Sequence, residues 1–163
     1  MKKQLILLLF TLSSGLISAQ KGKYIEYFVD LNQIVNDQAK IEVRIQPGFF
    51  GTEAEATFQF PRTVPGAYEY YEYGRFVKRV VGFTHDKKEV EVERVDANSW
   101  KVKNPANLAR LEYMVEDTWD AEVDGPDVFE PIGTNLEVGK NVLINHGAFF
   151  GYFLGYEERP VKL

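Results

Sequence analysis

The sequence predicts an all-β fold, an antiparallel β-sandwich of about seven to nine strands with little helix. Five segments alternate apolar and polar residues with a period of two. This alternation is typical of strands that have one face on the core and the other in water. Residues that favour turns separate the segments, and short strands at such spacing pair in antiparallel fashion.

The alternating segments follow one another along the chain at residues 25–31, 41–46, 54–60, 90–93 and 110–116. Asn, Asp, Pro and Gly mark the turns between them. These turn residues lie at 36–37, 47–48, 86–87, 96–98 and 104–105. Trp100 and Val102 predict a further short strand, and residues 141–145 predict one more.

The segment at 76–83 is less regular than the others. Val77, Val81 and Phe83 share one parity, but Arg79 falls on the same face. A charged residue on the core side predicts a bulge or an edge strand at this point.

Helix is expected only as isolated turns. Residues 31–34 and 107–110 could each form one turn, and residues 66–74 read as a turn or short helix. After Trp119 we expect a long acidic loop over residues 120–133, and loops of this length in a compact domain are often functional.

The N-terminal residues predict a secretory signal peptide. Lys2 and Lys3 precede an apolar run at residues 5–10, which is too short to span a membrane, and Ala19 offers a small residue before a cleavage point. We expect residues 1–19 to be the signal and 20–163 to be one β-sandwich domain. The protein would then be exported to a bacterial periplasm or the extracellular space; a buried first helix is the alternative.

Composition excludes several classes of protein. Removal of Lys2 and Lys3 leaves 17 basic against 24 acidic residues, and an acidic surface does not favour nucleic acid. The chain has no cysteine, so disulfides cannot stabilise it and packing must do so. No further apolar segment is long enough to predict a membrane span.

Five runs of residues resemble a known family. They are FPRTVPGAY at 60–68, YGRFV at 73–77, VEDTWD at 115–120, GTN at 133–135 and GYFLGYEERP at 151–160. Together they resemble the N-terminal domain of the glycyl aminopeptidases, family sixty-one of the metallopeptidases and part of the thermolysin-like gluzincins. The resemblance covers nearly all of residues 23–163.

The resemblance implies a β-sandwich that packs against a thermolysin-like catalytic domain in the same polypeptide. In that family a His-Glu-x-x-His motif of the catalytic domain holds zinc, and its glutamate activates water. The only histidines here, His85 and His146, do not form this motif. We therefore expect a non-catalytic chain without a cofactor of its own. Zinc and the peptide substrate would be bound by the catalytic domain, which the 163 residues do not include, so we expect a truncated product or a fragment.

The resemblance also implies site residues near the interdomain join. In related two-domain aminopeptidases the sandwich contributes an edge to the substrate cleft, and Asn135, Asn145 and His146 are the polar candidates for that edge. The aromatic tail that follows could close the core of the sandwich or form an interface with the neighbouring domain. The interface candidates are Phe149, Phe150, Tyr152, Phe153 and Tyr156.

The acidic loop was compared with a calcium-binding loop. Asp120, Glu122 and Asp124, followed by a glycine, match the first half of the pattern, but the bidentate glutamate would fall at Pro131. A solvated acidic loop is the simpler interpretation, and an acidic rim that attracts the free amine of a substrate is a third. The carboxylates Glu69, Glu72, Glu116 and Asp117 cannot be placed in pairs from the sequence.

A different class of function stays open at this point. The chain could be a free-standing binding module for peptide or glycan that uses its aromatic side chains. That hypothesis requires solvent-exposed tyrosine or tryptophan residues.

Overall fold

The computed structural model describes residues 22–163; the proposed signal peptide therefore lies outside the described residues. The described chain is built from strands, arranged as a six-stranded sheet, a four-stranded sheet and a two-stranded hairpin. The predicted all-β sandwich is confirmed. No helix among these residues is long and apolar enough to span a membrane.

Twelve strands occur within residues 22–163. They are β1 (Ile25–Val29), β2 (Gln38–Ile45), β3 (Glu55–Gln59), β4 (Val77–Phe83), β5 (Glu89–Val90), β6 (Val92–Arg94), β7 (Ser99–Lys103), β8 (Arg110–Glu116), β9 (Asn135–Glu137), β10 (Asn141–Leu143), β11 (Tyr152–Phe153) and β12 (Val161–Lys162). The count exceeds the expected seven to nine because half of the strands have only two or three residues. Alternation is hard to interpret over so few residues, and residues 90–93, expected as one strand, are divided between β5 and β6 in different sheets.

Helical structure in the described chain is limited to single turns. A four-residue helix, α1, covers His146–Phe149, and 3-10 turns cover Leu31–Gln33, Tyr73–Phe76, Pro105–Asn107 and Glu130–Ile132. The turn expected at 107–110 lies earlier in the chain, and Pro105 at its first position supplies a φ suited to a helical turn.

The sheets pair mostly in antiparallel fashion. The large sheet has the order β12-β1-β2-β8-β4-β5 and the smaller one β11-β3-β7-β6. Only β1 and β12 are parallel among the pairs of the described chain. Between Lys78 and Val81 the register of β4 against β8 shifts, and Arg79 has φ of +54°. The predicted bulge is therefore present. It reverses the expected faces beyond it, because Val80 packs against the core, whereas Val81 and Phe83 line an outer groove together with the exposed Arg79.

The core lies between the inner faces of the two sheets. Tyr113 of β8 packs on Phe58 of β3, with ring centroids 5.5 Å apart, and on Phe60 at 5.4 Å. All three rings are buried. Burial of each large apolar side chain contributes about 1.5–3 kcal/mol, so this aromatic stack is a main source of the sandwich's stability.

Candidate functional site

Four segments from two stretches of the chain that are distant in sequence, residues 61–76 and 117–149, meet in what we call the loop cluster. It comprises residues 61–76, residues 117–134, the β9–β10 hairpin and α1. The hydroxyl of Tyr73 donates to the carbonyl of Ile132 at 3.1 Å, and the N–H of Asn145 donates to Thr134 Oγ1 at 3.3 Å. A Cβ on Gly147 of α1 would lie 2.6 Å from Val64, so these segments are packed together closely.

Asp117 is a buried carboxylate at the root of the acidic loop. Its side chain is 1% exposed and accepts backbone N–H groups from Trp119 and Leu136, both at 2.6 Å. Burial raises the pKa of Asp117 above its ordinary value, although the backbone donors act in the opposite direction. Both carboxylate oxygens are engaged by backbone N–H groups, so Asp117 positions chain segments and is not placed for acid–base chemistry.

Thr118 and Thr134 join the two ends of the acidic loop. Thr134 donates its N–H to Thr118 Oγ1 at 2.7 Å, and Thr118 donates its N–H to the carbonyl of Thr134 at 2.9 Å. Gly133 makes this approach possible, because a Cβ there would lie 2.4 Å from Thr118 Oγ1 and 3.1 Å from the Trp119 ring. The run GTN is therefore the partner of the run VEDTWD.

Arg75 holds the acidic loop against residues 61–76. Its Nε donates to the carbonyl of Tyr71 at 2.8 Å, and Nη1 donates to the carbonyls of Val123 at 3.1 Å and Asp124 at 2.7 Å. Nη2 donates to the carbonyl of Pro126. The guanidinium also lies over the ring of Phe76, 4.5 Å from its centroid, and burial lowers the pKa of Arg75. The arginine therefore acts as a clamp on main-chain carbonyls.

The acidic side chains of the loop point into solvent. Asp120, Glu122 and Asp124 are all exposed. Nowhere in residues 22–163 do three His, Asp or Glu side chains come close enough together to hold a metal ion. The geometry of the described residues therefore gives no support to a calcium site in the acidic loop.

The three proposed cleft residues lie together but differ in exposure. Asn135 is buried, and its Oδ1 has no hydrogen-bond partner among the described residues. Asn145 caps α1, because its Oδ1 accepts the N–H of Gly147 at 3.1 Å. His146 is exposed at the first position of that helix. Of the three side chains, only that of His146 is free to contact a ligand or a neighbouring domain.

The aromatic tail mostly closes the core. Phe149 and Phe153 are buried, with Phe153 packed 4.8 Å from Phe50. Their assignment to a domain interface is corrected, because each lies inside this domain's own core. Phe150, Tyr152 and Tyr156 are partly buried and retain only part of their surface for a neighbour.

The exposed apolar residues of the loop cluster were not singled out from the sequence. On the acidic loop and the hairpin, the exposed fractions are 38% for Trp119, 60% for Phe129, 59% for Val138, 40% for Val142 and 43% for Leu143. The strand expected at 141–145 is present as β10, but β9 was not expected, because a strand of three residues shows too little alternation to be recognised. All three residues of β10 are exposed.

A polar cleft borders the loop cluster. Arg62 donates to Glu72 Oε1 at 2.7 Å, and Asn98 Nδ2 donates to Glu72 Oε2. The hydrogen bond from Arg62 holds the pKa of Glu72 below its ordinary value. Tyr70 lies under the Arg62 guanidinium at 5.0 Å, and Tyr68 is fully exposed nearby in sequence. The cleft has a volume of about 470 Å³ and is lined by Gln59, Arg62, Glu72, Asp96, Ala97, Asn98 and Ser99.

Comparison with known families agrees with this arrangement. A family model described as the Peptidase M61 N-terminal domain matches residues 26–163. The chain belongs to this family. Four of the five runs quoted above lie wholly or partly in its loop cluster, so the most recognisable residues of this peptidase N-terminal domain converge at one place in the fold.

A solved structure has the same fold as this peptidase N-terminal domain. It is the crystal structure of an aminopeptidase N family protein from Idiomarina loihiensis, with a TM-score of 0.67 and 14% sequence identity. The match covers 84% of this chain and 21% of that protein, so the peptidase N-terminal domain corresponds to about a fifth of the solved chain. No curated protein matches the sequence.

Proposed function

We propose that the chain is the non-catalytic N-terminal sandwich of an exported zinc aminopeptidase. In this proposal it braces a thermolysin-like catalytic domain, and its loop cluster frames that domain's peptide cleft. The observation that carries the proposal is the loop cluster itself, where family-typical runs meet a set of exposed apolar residues. A rigid, partly apolar surface of this kind suits contact with another domain.

Zinc is the cofactor that this proposal implies, but the residues of this chain do not fit a zinc site. A gluzincin site needs two histidine ligands on one helix and a carboxylate as the third ligand. His85 and His146 are far apart in sequence, and no suitable group of three ligands occurs in residues 22–163. No step of peptide hydrolysis is therefore assigned to this chain.

The family also supports a division of labour that can be tested directly. The coding sequence after Leu163 is expected to continue in frame into a segment with His-Glu-x-x-His. The 163-residue chain should not hydrolyse glycyl or alanyl p-nitroanilide, with or without added zinc. A longer protein that also includes the proposed catalytic domain should hydrolyse both. Robust hydrolysis by a clean sample of the 163-residue chain would contradict the proposal.

The proposed contact between the loop cluster and the catalytic domain is tested in the longer protein that includes both, with one matched pair of variants. Phe129 is 60% exposed in the loop cluster, and Phe28 is 50% exposed on β1 of the large sheet. Phe129→Asp is expected to lower both peptidase activity and the melting temperature, because a charge would be buried between domains. Phe28→Asp should leave both unchanged. If the two variants have equal effects, the loop cluster is not the surface that contacts the catalytic domain.

Export has its own measurement. Expression of the chain with its first residues in a Gram-negative host should give a periplasmic product that begins at Gln20, as read by N-terminal sequencing. A cytoplasmic product that keeps Met1–Ala19 would remove export from the proposal.

A second candidate function is a binding module for glycans, and the polar cleft favours it. Exposed Tyr70, which lies under the Arg62 guanidinium, combines an aromatic ring with the charged hydrogen-bonding groups of Arg62 and Glu72, as a sugar requires. A glycan array probed with the 163-residue chain would support it if binding is lost in Tyr70→Ala and kept in Phe28→Ala. Absence of any bound glycan would leave the peptidase domain as the better description.

A further inference from the structure

We infer that the outer edge of β10 binds an extended peptide by strand addition. The peptide would lie as a third strand beside the β9–β10 hairpin and would be held through its backbone. The inference deepens the proposed function, on which it rests for identifying the peptide as a substrate. The observations that carry it are a free edge, the direction of its hydrogen-bonding groups and the charge beside it.

The first step concerns which way the backbone of β9 points. Leu136 donates its N–H to Asp117 Oδ2 at 2.6 Å, and Thr134 bonds to Thr118 on the same side. In an extended strand, the N–H and C=O of one residue face the same neighbour. Leu136 therefore directs both groups toward Asp117, away from β10.

The second step follows from the register of the hairpin. Leu136 is directly opposite Val142, and because Leu136 faces away, the two residues form a non-hydrogen-bonded pair. The N–H and C=O of Val142 must then face away from β9, on the outer edge of β10. No strand within residues 22–163 pairs with this edge, and Val142 is 40% exposed.

The third step is that this edge carries neither a charged residue nor a proline. A charged residue on an edge strand discourages the addition of another strand. Such residues are present on β5, β6 and β12, namely Glu89, Glu93, Arg94 and Lys162. The three residues of β10 are uncharged and include no proline, and Val142 and Leu143 are exposed apolar side chains. Strand addition uses main-chain bonds for affinity and alternate side chains for selectivity.

Charge decides which occupant fits. Between Arg110 and Lys140 the chain has nine acidic residues and no basic one. Glu112, Glu116 and Glu137 are in ion pairs and Asp117 is buried. The other five are exposed and form no ion pair within residues 22–163, namely Asp120, Glu122, Asp124, Asp127 and Glu130. The root of the acidic loop adjoins β9, so it lies two strand spacings, about 10 Å, from the outer edge of β10. That distance is longer than the Debye length in physiological salt, about 8 Å, so the attraction is weakened in physiological salt and is strongest at low salt. A peptide with positive charge is therefore attracted, whereas a second copy would bring two acidic loops together.

The experiment uses the 163-residue chain labelled with nitrogen-15 and the soluble peptide acetyl-Lys-Val-Thr-Val-Lys-amide. The peptide is expected to shift the amide resonance of Val142 and to slow its hydrogen exchange. A matched peptide with N-methyl valines lacks the backbone donors and should bind at least tenfold more weakly. Replacing both lysines by glutamates should also weaken binding, and that difference should shrink as salt is added.

The matched protein variants are Val142→Pro and Val142→Thr. Proline removes the outward N–H and is tolerated on an edge strand when that N–H faces solvent, so binding should fall at least tenfold. Threonine keeps the N–H and should bind as the parent does. If the proline variant does not fold, the N-methyl peptide tests the companion bond, from the peptide N–H to the Val142 carbonyl, on the unmodified chain.

Three results would overturn the inference. Absence of any Val142 shift at millimolar peptide is one, and equal binding of the N-methyl peptide is another. The third is protection of the Val142 amide without peptide, which would assign the edge to another part of the protein or, if dependent on concentration, to a second copy. None of these measurements depends on peptidase activity, so a failure of the inference can be distinguished from a failure of the proposed function.

Discussion

The carboxylate of Asp117 accepts the backbone N–H of Leu136 at 2.6 Å and so joins the end of β8 to β9. This bond connects the large sheet to a hairpin that belongs to neither sheet of the sandwich. Because Leu136 faces Asp117, Val142 opposite it directs its N–H and C=O to the outer edge of the hairpin, with which no strand within residues 22–163 pairs. One buried carboxylate therefore determines both the position of the hairpin and the direction of its free backbone groups.

Asp117→Asn is expected to lower the free energy of unfolding by about 1–3 kcal/mol. The amide group can accept through one oxygen only, so one of the N–H groups of Trp119 and Leu136 loses its acceptor in a buried place. Urea unfolding followed by tryptophan fluorescence measures the change. Asp124→Asn, on the exposed part of the same loop, is the control and should have almost no effect.

The pH dependence of the same variant has a definite sign. Burial raises the pKa of Asp117 in the folded chain, so the folded state binds the proton more tightly than the unfolded state. The resulting stability is fully present below the ordinary aspartate pKa, about 3.9, and is lost as pH rises through the raised value. The difference in unfolding free energy between the parent and Asp117→Asn should therefore widen on acidification. A difference that narrows would show that the folded pKa is depressed.

Arg75→Lys is expected to loosen the acidic loop while leaving the sandwich folded. Lysine keeps the charge but cannot donate at once to the carbonyls of Tyr71, Val123, Asp124 and Pro126. Hydrogen–deuterium exchange over residues 120–130 should become faster, with β2 and β8 unchanged. The control is Arg44, which is exposed on the large sheet and forms an ion pair with Glu42. Arg44→Lys should leave the hydrogen exchange of residues 120–130 unchanged.

Phe153→Ala is expected to destabilise the 163-residue chain by about 3–5 kcal/mol, the usual cost of removing a buried aromatic ring. Phe153 is 1% exposed and packs on Phe50 and Phe58. Its neighbour Leu154 is 54% exposed, so Leu154→Ala should change stability little. Thermal unfolding measures the stability of the two variants. A small effect of Phe153→Ala would contradict its place in the core and would favour a role for Phe153 at a domain interface.

Much of the fold could be read from local pattern. The alternation through Ile41, Val43 and Ile45 predicted a strand with one buried face, and these three residues are buried in β2. The parity of Arg79 predicted the bulge in β4. Such features depend on neighbours two to four residues apart, and the period of a strand makes them visible without knowledge of the partner strand.

The loop cluster could be predicted only in part. Its acidic loop and its family-typical runs were recognised, but the clamp that Arg75 forms was not. Its actual partners are carbonyl groups about 50 residues later, and main-chain carbonyls leave no signature in a sequence. Asn135 and Asn145 were proposed for their polarity, yet one is buried and the other caps α1.

The amino-acid sequence by itself determined that this protein is an all-β sandwich of a peptidase N-terminal family, because alternation and family-typical runs are properties of short segments. The tertiary structure decided which polar groups are satisfied and which surfaces are open. Those outcomes depend on contacts such as Tyr27 with Gly151, Asp117 with Leu136 and Arg75 with Pro126. They form only when the packing of the sandwich brings distant residues together, so no local pattern encodes them.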